Sequence, residues 1–135
     1  ELGSSLGGIR GAVVHLYGAE IVWMTRIEGG APITLPTLDD CKDWASIRST
    51  WQPLREKISV VPEAFDLNST IKYQSLAGEK YENTLSEIMM HLMTHQHYHR
   101  GQIVSMIRQL EARDGLAPKK IPSMDLIVYF AETKK

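Results

Sequence analysis

The sequence predicts an all-α helical bundle with one small β-hairpin set before its last long helix. Three observations carry that expectation. Leu6 to Glu28 and Thr84 to Arg113 place apolar residues at helical spacing over many turns. Thr37 to Val61 shows a one-sided apolar face, the mark of an outer helix. Between Thr70 and Asn83 the period drops to two around a Ser75-Leu76-Ala77-Gly78 turn, which is hairpin patterning.

The first helix is expected over Leu6 to Glu28, with Ser4 or Ser5 as its cap. Leu6, Ile9, Val13, Leu16, Tyr17, Trp23, Met24 and Ile27 form its main face, and Val14, Ile21 and Val22 lie off it. A helix apolar almost all round is buried on several sides. His15 has Gly8, Gly11, Ala12, Gly18, Ala19 and Val22 as neighbours on its own face. Glycine inside a helix costs up to about 1 kcal/mol relative to alanine, so this face calls for something close against it. Either another helix packed tightly or a ligand beside His15 would serve, and the helix alone favours packing. Glu20 points inward among Tyr17, Trp23 and Met24, as an acceptor for a histidine N–H or as half of a buried ion pair.

Gly29-Gly30 ends that helix and a proline-containing loop follows. Thr37 or Asp39 is expected to cap the second helix, whose apolar face runs Leu38, Cys41, Trp44, Ala45, Ile47, Trp51, Leu54, Ile58 and Val61. Pro53 lacks the N–H that a helix interior needs, which predicts a kink or break near Ser49 to Gln52, and Pro62 stops the helix. Cys41 lies on the apolar face and reads as packing. The hairpin leads into Thr84, a cap with Glu87 three residues on, and the last long helix runs to Gly115. The apolar run Leu126 to Phe130 reads as an extended segment.

The last helix carries four of the five histidines. Its stripe of Leu85, Ile88, Met89, Leu92, Ile103, Met106, Ile107 and Leu110 is interrupted in the middle. Heptad steps from Leu85 and Leu92 lead to His99, and the step from Ile88 leads to His95, so these two histidines occupy the buried stripe. His91 falls on one polar flank with Thr84, Tyr98 and Ser105, and His97 on another between Met90 and Val104. Imidazoles one turn apart emerge roughly 5–6 Å from each other, near enough to share one metal ion.

Composition narrows the field. The chain of 135 residues fits one domain with a core of its own, so a metal would serve function rather than folding. With 15 basic and 16 acidic residues it has neither a basic footprint for nucleic acid nor a polybasic membrane patch. The single cysteine excludes an internal disulfide, and no run is long and apolar enough to span a membrane. A cytoplasmic location is the expectation.

His95-Gln96-His97-Tyr98-His99-Arg100-Gly101-Gln102-Ile103 resembles the H-x-x-H-H-R-G-Q-I signature of the DinB/YfiT-like family. His15-Leu16-Tyr17-Gly18-Ala19-Glu20 with Trp23 resembles that family's H-x-x-G-A-E-x-x-W helix, and Asp125-Leu126-Ile127 its closing D-L-I. The resemblance implies an up-down-down-up four-helix bundle, a homodimer, and a divalent metal (zinc, nickel or iron) held by His15, His95 and His99. It also implies a first helix of roughly 25–35 residues, some 40–50 Å long, for which this chain shows no counterpart before Gly3. Tyr98 stands where the family often has a histidine, and His97 is extra. Among the activities that the family implies, a transferase that activates a low-molecular-weight thiol against small electrophiles leads. The alternatives are a metal-dependent hydrolase and a non-catalytic, metal- or ligand-binding dimeric bundle.

Overall fold

The computed structural model describes residues 5–31 and 33–122. Helix α1 spans Gly8–Ile27, α2 Trp44–Ser59, the short α3 Val61–Ala64, and α4 Leu85–Arg113. Strands β1, Thr70–Gln74, and β2, Lys80–Thr84, form an antiparallel hairpin with Thr70 opposite Thr84 and Tyr73 opposite Tyr81. The fold is mostly α, with the hairpin placed before the last long helix as the sequence predicts. Among the described residues no helix is long and apolar enough to cross a membrane.

Side-chain contacts give the helix directions. Tyr17 meets Trp51 near the middle of α1 and α2, and Glu28 pairs with Lys57 beyond the end of α1, so these helices run the same way. His15 faces His95 and His99, whereas Trp23, two turns later, faces His91, so α4 runs against α1. The main core lies between them: Met24 and Ile27 pack with Val61, Leu85, Ile88 and Leu92. A second cluster, Val14, Cys41 and Ile47, ties α1 to α2. Cys41 is buried there as packing, and burial pushes its thiol pKa up.

Several local expectations are corrected. The first helix starts two residues late, after Gly7 at φ 74°, with no side-chain cap, so Ser5 plays no such part; Ser4 lies outside the described residues. The cap of α2 is Asp43, whose carboxylate accepts from Ser46 N at 2.7 Å in a capping box. Thr37 instead closes a turn on Asp40, donating from N and Oγ1 to Oδ2 at 2.9 and 2.7 Å. Arg10 fixes the following stretch by donating to the carbonyls of Leu38, Cys41 and Lys42. Helix α2 continues through Pro53 without a break. Pro53 and Ser49 are exposed, so the carbonyl left without a donor faces water. Pro62 sits in the first turn of α3, where its missing N–H costs nothing. Trp44, expected on the inner face, is exposed. The closing run Leu126 to Phe130 lies outside the described residues.

The hairpin leans on α1 through Trp23, whose ring meets Tyr73 edge-on at 5.1 Å, and Tyr73 stacks on Tyr81. It delivers Thr84 as the cap of α4: the hydroxyl accepts from Glu87 N, and Glu87 Oε2 accepts from Thr84 N at 2.9 Å. At the far end Gly115 takes a φ of 64°, the left-handed residue that closes the helix. Thr84→Ala is expected to lower stability by about 1 kcal/mol. Urea denaturation should show this as a lower midpoint with an unchanged slope.

Candidate metal centre

Leu85, Ile88, Leu92 and Met106 of α4 are buried against the rest of the fold. His95 and His99 continue that stripe and are half-buried, while His91 and His97 are exposed. Across from them His15 projects from α1. Its ring centre lies 5.1 Å from that of His95 and 4.6 Å from that of His99. His15, His95 and His99 thus form a group that could hold one ion, with one donor atom from each ring all within 4.8 Å of one another. His15 Nε2 and His95 Nε2 are 3.1 Å apart. Two nitrogens bound to one ion at roughly 2.0–2.1 Å would stand about 2.9–3.4 Å apart, depending on the angle between the bonds.

The surroundings keep the His15 and His95 rings neutral. Burial, then the nearby His99, lowers the pKa of His15. His95 is pushed down to about 4 by burial and by His99, His15 and His91. Neutral imidazole is the form that binds a metal. His99 Nδ1 lies 2.8 Å from Gln102 Oε1, an amide carbonyl that only accepts, so Nδ1 donates here and Nε2 is the ring atom left to serve as a ligand. His95 Nδ1 is buried without a hydrogen-bond partner. With three imidazole nitrogen donors and ligand spacing at the His15–His95 pair, the residues fit a divalent ion.

Glu20 proves to be neither a histidine's acceptor nor half of an ion pair among the described residues. Its buried carboxylate accepts from the Trp51 indole N–H and from Gln96 Nε2, the latter at 2.6 Å. Gln96 follows His95 directly, so this bond locks α4 in register against α1 and α2 at the height of the histidines. Burial raises the Glu20 pKa above its ordinary value of 4.5, and the hydrogen bonds from Trp51 and Gln96 and the charges of Arg55 and Arg100 offset only part of that. A raised pKa means that the folded state holds its proton longer than the unfolded chain, so this group's contribution to stability falls as pH rises above about 4.5. Glu20→Gln has no such titration. Its stability relative to the natural protein should improve between pH 4.5 and 7.5, measured by denaturation at both values; a constant gap would contradict the assignment.

The small residues around His15 have local uses. A Cβ on Gly11 would lie 1.5 Å from Leu6 O, and one on Gly18 would lie 3.2 Å from both Leu35 Cδ2 and Pro36 Cδ. The chain's own turn and loop therefore fill much of the space that the glycines leave. Neither Gln96 nor Gln102 was singled out from the sequence for a role at the site. The available signal for Gln102 was its spacing, one helical turn beyond His99.

The fold and the site together define a class: a small helical bundle whose interior gathers three imidazoles from two antiparallel helices within reach of one ion. The chain belongs to the DinB family, whose model matches residues 1–119. It is also similar to Protein DinB of Bacillus subtilis (strain 168), at 24% identity over 117 residues, covering 81% of this chain and 68% of that protein. No solved structure matches.

Proposed function

We propose that this protein is a divalent-metal-dependent enzyme in which His15, His95 and His99 hold the ion, and that it transfers a low-molecular-weight thiol to small electrophiles. The observation that carries the metal part is the convergence of three half-buried imidazoles from two helices. Zinc, nickel and iron all accept such ligands. When bound, the ion would supply Lewis acidity at the positions that the protein leaves open. Gln102 holds the His99 ring in one tautomer, and the Glu20–Gln96 bond holds the helix that presents His95. A cleft of ≈ 380 Å³ adjoins His15 and is lined largely by apolar residues such as Leu6, Val14, Leu35 and Pro36, which suits a small apolar electrophile.

In the proposed reaction the thiol sulfur bonds to the electrophilic carbon while that carbon's bond to its leaving group breaks. The leaving group departs with the electron pair, and the thiol proton passes to solvent. Elemental analysis of protein purified without a histidine tag tests the metal, with about one ion per chain expected. Turnover of metal-loaded protein with a panel of thiols and electrophiles tests the chemistry. Water-dependent cleavage without a thiol requirement would replace the transferase reading with a hydrolase. Stoichiometric metal without turnover would leave a metal-binding bundle.

A further inference from the structure

Arg26, three turns beyond His15 on α1, is a half-buried cation with no anionic partner among the described residues. Its guanidinium lies 4.6 Å from the ring centres of both Trp23 and Tyr73, and one nitrogen donates to Gln74 O at 2.8 Å. The ion pairs among the described residues involve Lys57, Arg108 and Arg113, not Arg26. Burial disfavours its charged form. A partly desolvated charge held by a carbonyl and two rings leaves further N–H donors open to an anion.

Its position gives that opening a use. The cleft beside His15 runs along Gly18, Ala19 and Val22 to Arg26, with Leu35 and Pro36 on its other wall. A larger cleft of ≈ 900 Å³ opens between the end of α1 and the hairpin and is lined by Lys72 and Lys80 against Glu82. Val22, Arg26 and Leu76 line both. One path therefore leaves His15, the α1 member of the histidine group, stays apolar for most of its length, and ends on positive charge. The rise along α1 from His15 to Arg26 is roughly 16 Å, a span suited to an elongated small molecule.

We infer that this path is the substrate cleft of the histidine centre and that it selects amphipathic carboxylates, with the apolar body along Ala19 and Val22 and the carboxylate on Arg26. The identity of the reacting end rests on the metal-enzyme reading above. The anion recognition does not. A planar guanidinium matches a carboxylate with paired charge-assisted hydrogen bonds.

The test uses octanoate and its neutral analogue octanamide, titrated calorimetrically into protein equilibrated with one equivalent of zinc. Octanoate should bind at least about tenfold more tightly, the order expected from a charge-assisted pair. Arg26→Met should reduce octanoate to the affinity of octanamide while octanamide binds as before, which shows the cleft intact, and Arg26→Lys should keep part of the preference. Equal binding of the two probes by the natural protein overturns the inference without recourse to any variant. So does a preference that survives Arg26→Met. Elemental analysis of the same samples separates the two readings: an Arg26-dependent preference in protein that retains no zinc supports the anion cleft and removes the metal centre from it. With cobalt in place of zinc, relaxation of the octanoate methyl protons should exceed that of the protons beside the carboxylate; the reverse order overturns the proposed direction of binding.

Discussion

His95→Ala and His99→Ala are each expected to abolish stoichiometric metal binding, while His97→Ala leaves it intact. The contrast follows from the direction in which α4 presents its side chains. His95 and His99 are one turn apart on the face that meets His15, with ring centres 4.5 Å from each other, and His97 is exposed. Removing either inner ring leaves two nitrogen donors and a void where the third stood. His15→Ala should do comparable damage, because it removes the sole ligand from α1 and leaves a pair on one helix. The loss should exceed the 10–100-fold typical of residues that only orient a ligand, which is the range expected for Gln102→Ala. Titration calorimetry with zinc and elemental analysis after dialysis provide the measurement. Equal losses from His95→Ala, His97→Ala and His99→Ala would show that metal binds to an exposed histidine cluster and would remove the proposed centre.

That contrast was legible in the sequence because it depends on periodicity alone. Two histidines standing where the stripe expects apolar residues have to point inward if the helix forms, and the Thr84 and Glu87 box makes the helix form. His15 was legible only through the family resemblance. Its glycine-rich surroundings pointed to tight packing rather than to a ligand, and the structure shows that Leu6, Leu35 and Pro36 use part of that space. The start of α2 was misread for a related reason. Thr37, Asp39 and Asp43 all have capping chemistry, and the choice among them depends on Arg10, whose grip on three carbonyls comes from another helix. Glu20 shows the same limit: its burial could be read from helical spacing, but Trp51 and Gln96 as partners required the packing of three helices. Local pattern gave the faces of the helices apart from the start of α2, where Trp44 is exposed, and long-range contacts decided what met them.

Ile88→Ala is expected to destabilise the protein by about 2–5 kcal/mol, with Met90→Ala within about 0.5 kcal/mol of the natural protein. Both residues are on α4, a fraction of a turn apart, so propensity and chain position cannot separate them. Burial does: Ile88 is 1% exposed, in the cluster with Met24, Ile27, Val61, Leu85 and Leu92, and Met90 is 64% exposed. Truncating Ile88 removes apolar contacts and leaves a cavity that the helices on either side close only in part. Thermal unfolding of metal-free protein should show a fall of at least about 6 °C for Ile88→Ala and almost none for Met90→Ala. The pair also tests the centre from a different direction. His95 lies one heptad beyond Ile88, so a rotation of α4 large enough to expose Ile88 would carry His95 away from His15. Ile88→Ala that remains folded at low temperature should therefore still bind its metal, now as a less stable protein that gains more in melting temperature from added zinc than from added buffer. Equal destabilisation by both variants would mean that α4 is turned from the orientation described, and the three-histidine centre would fall with it.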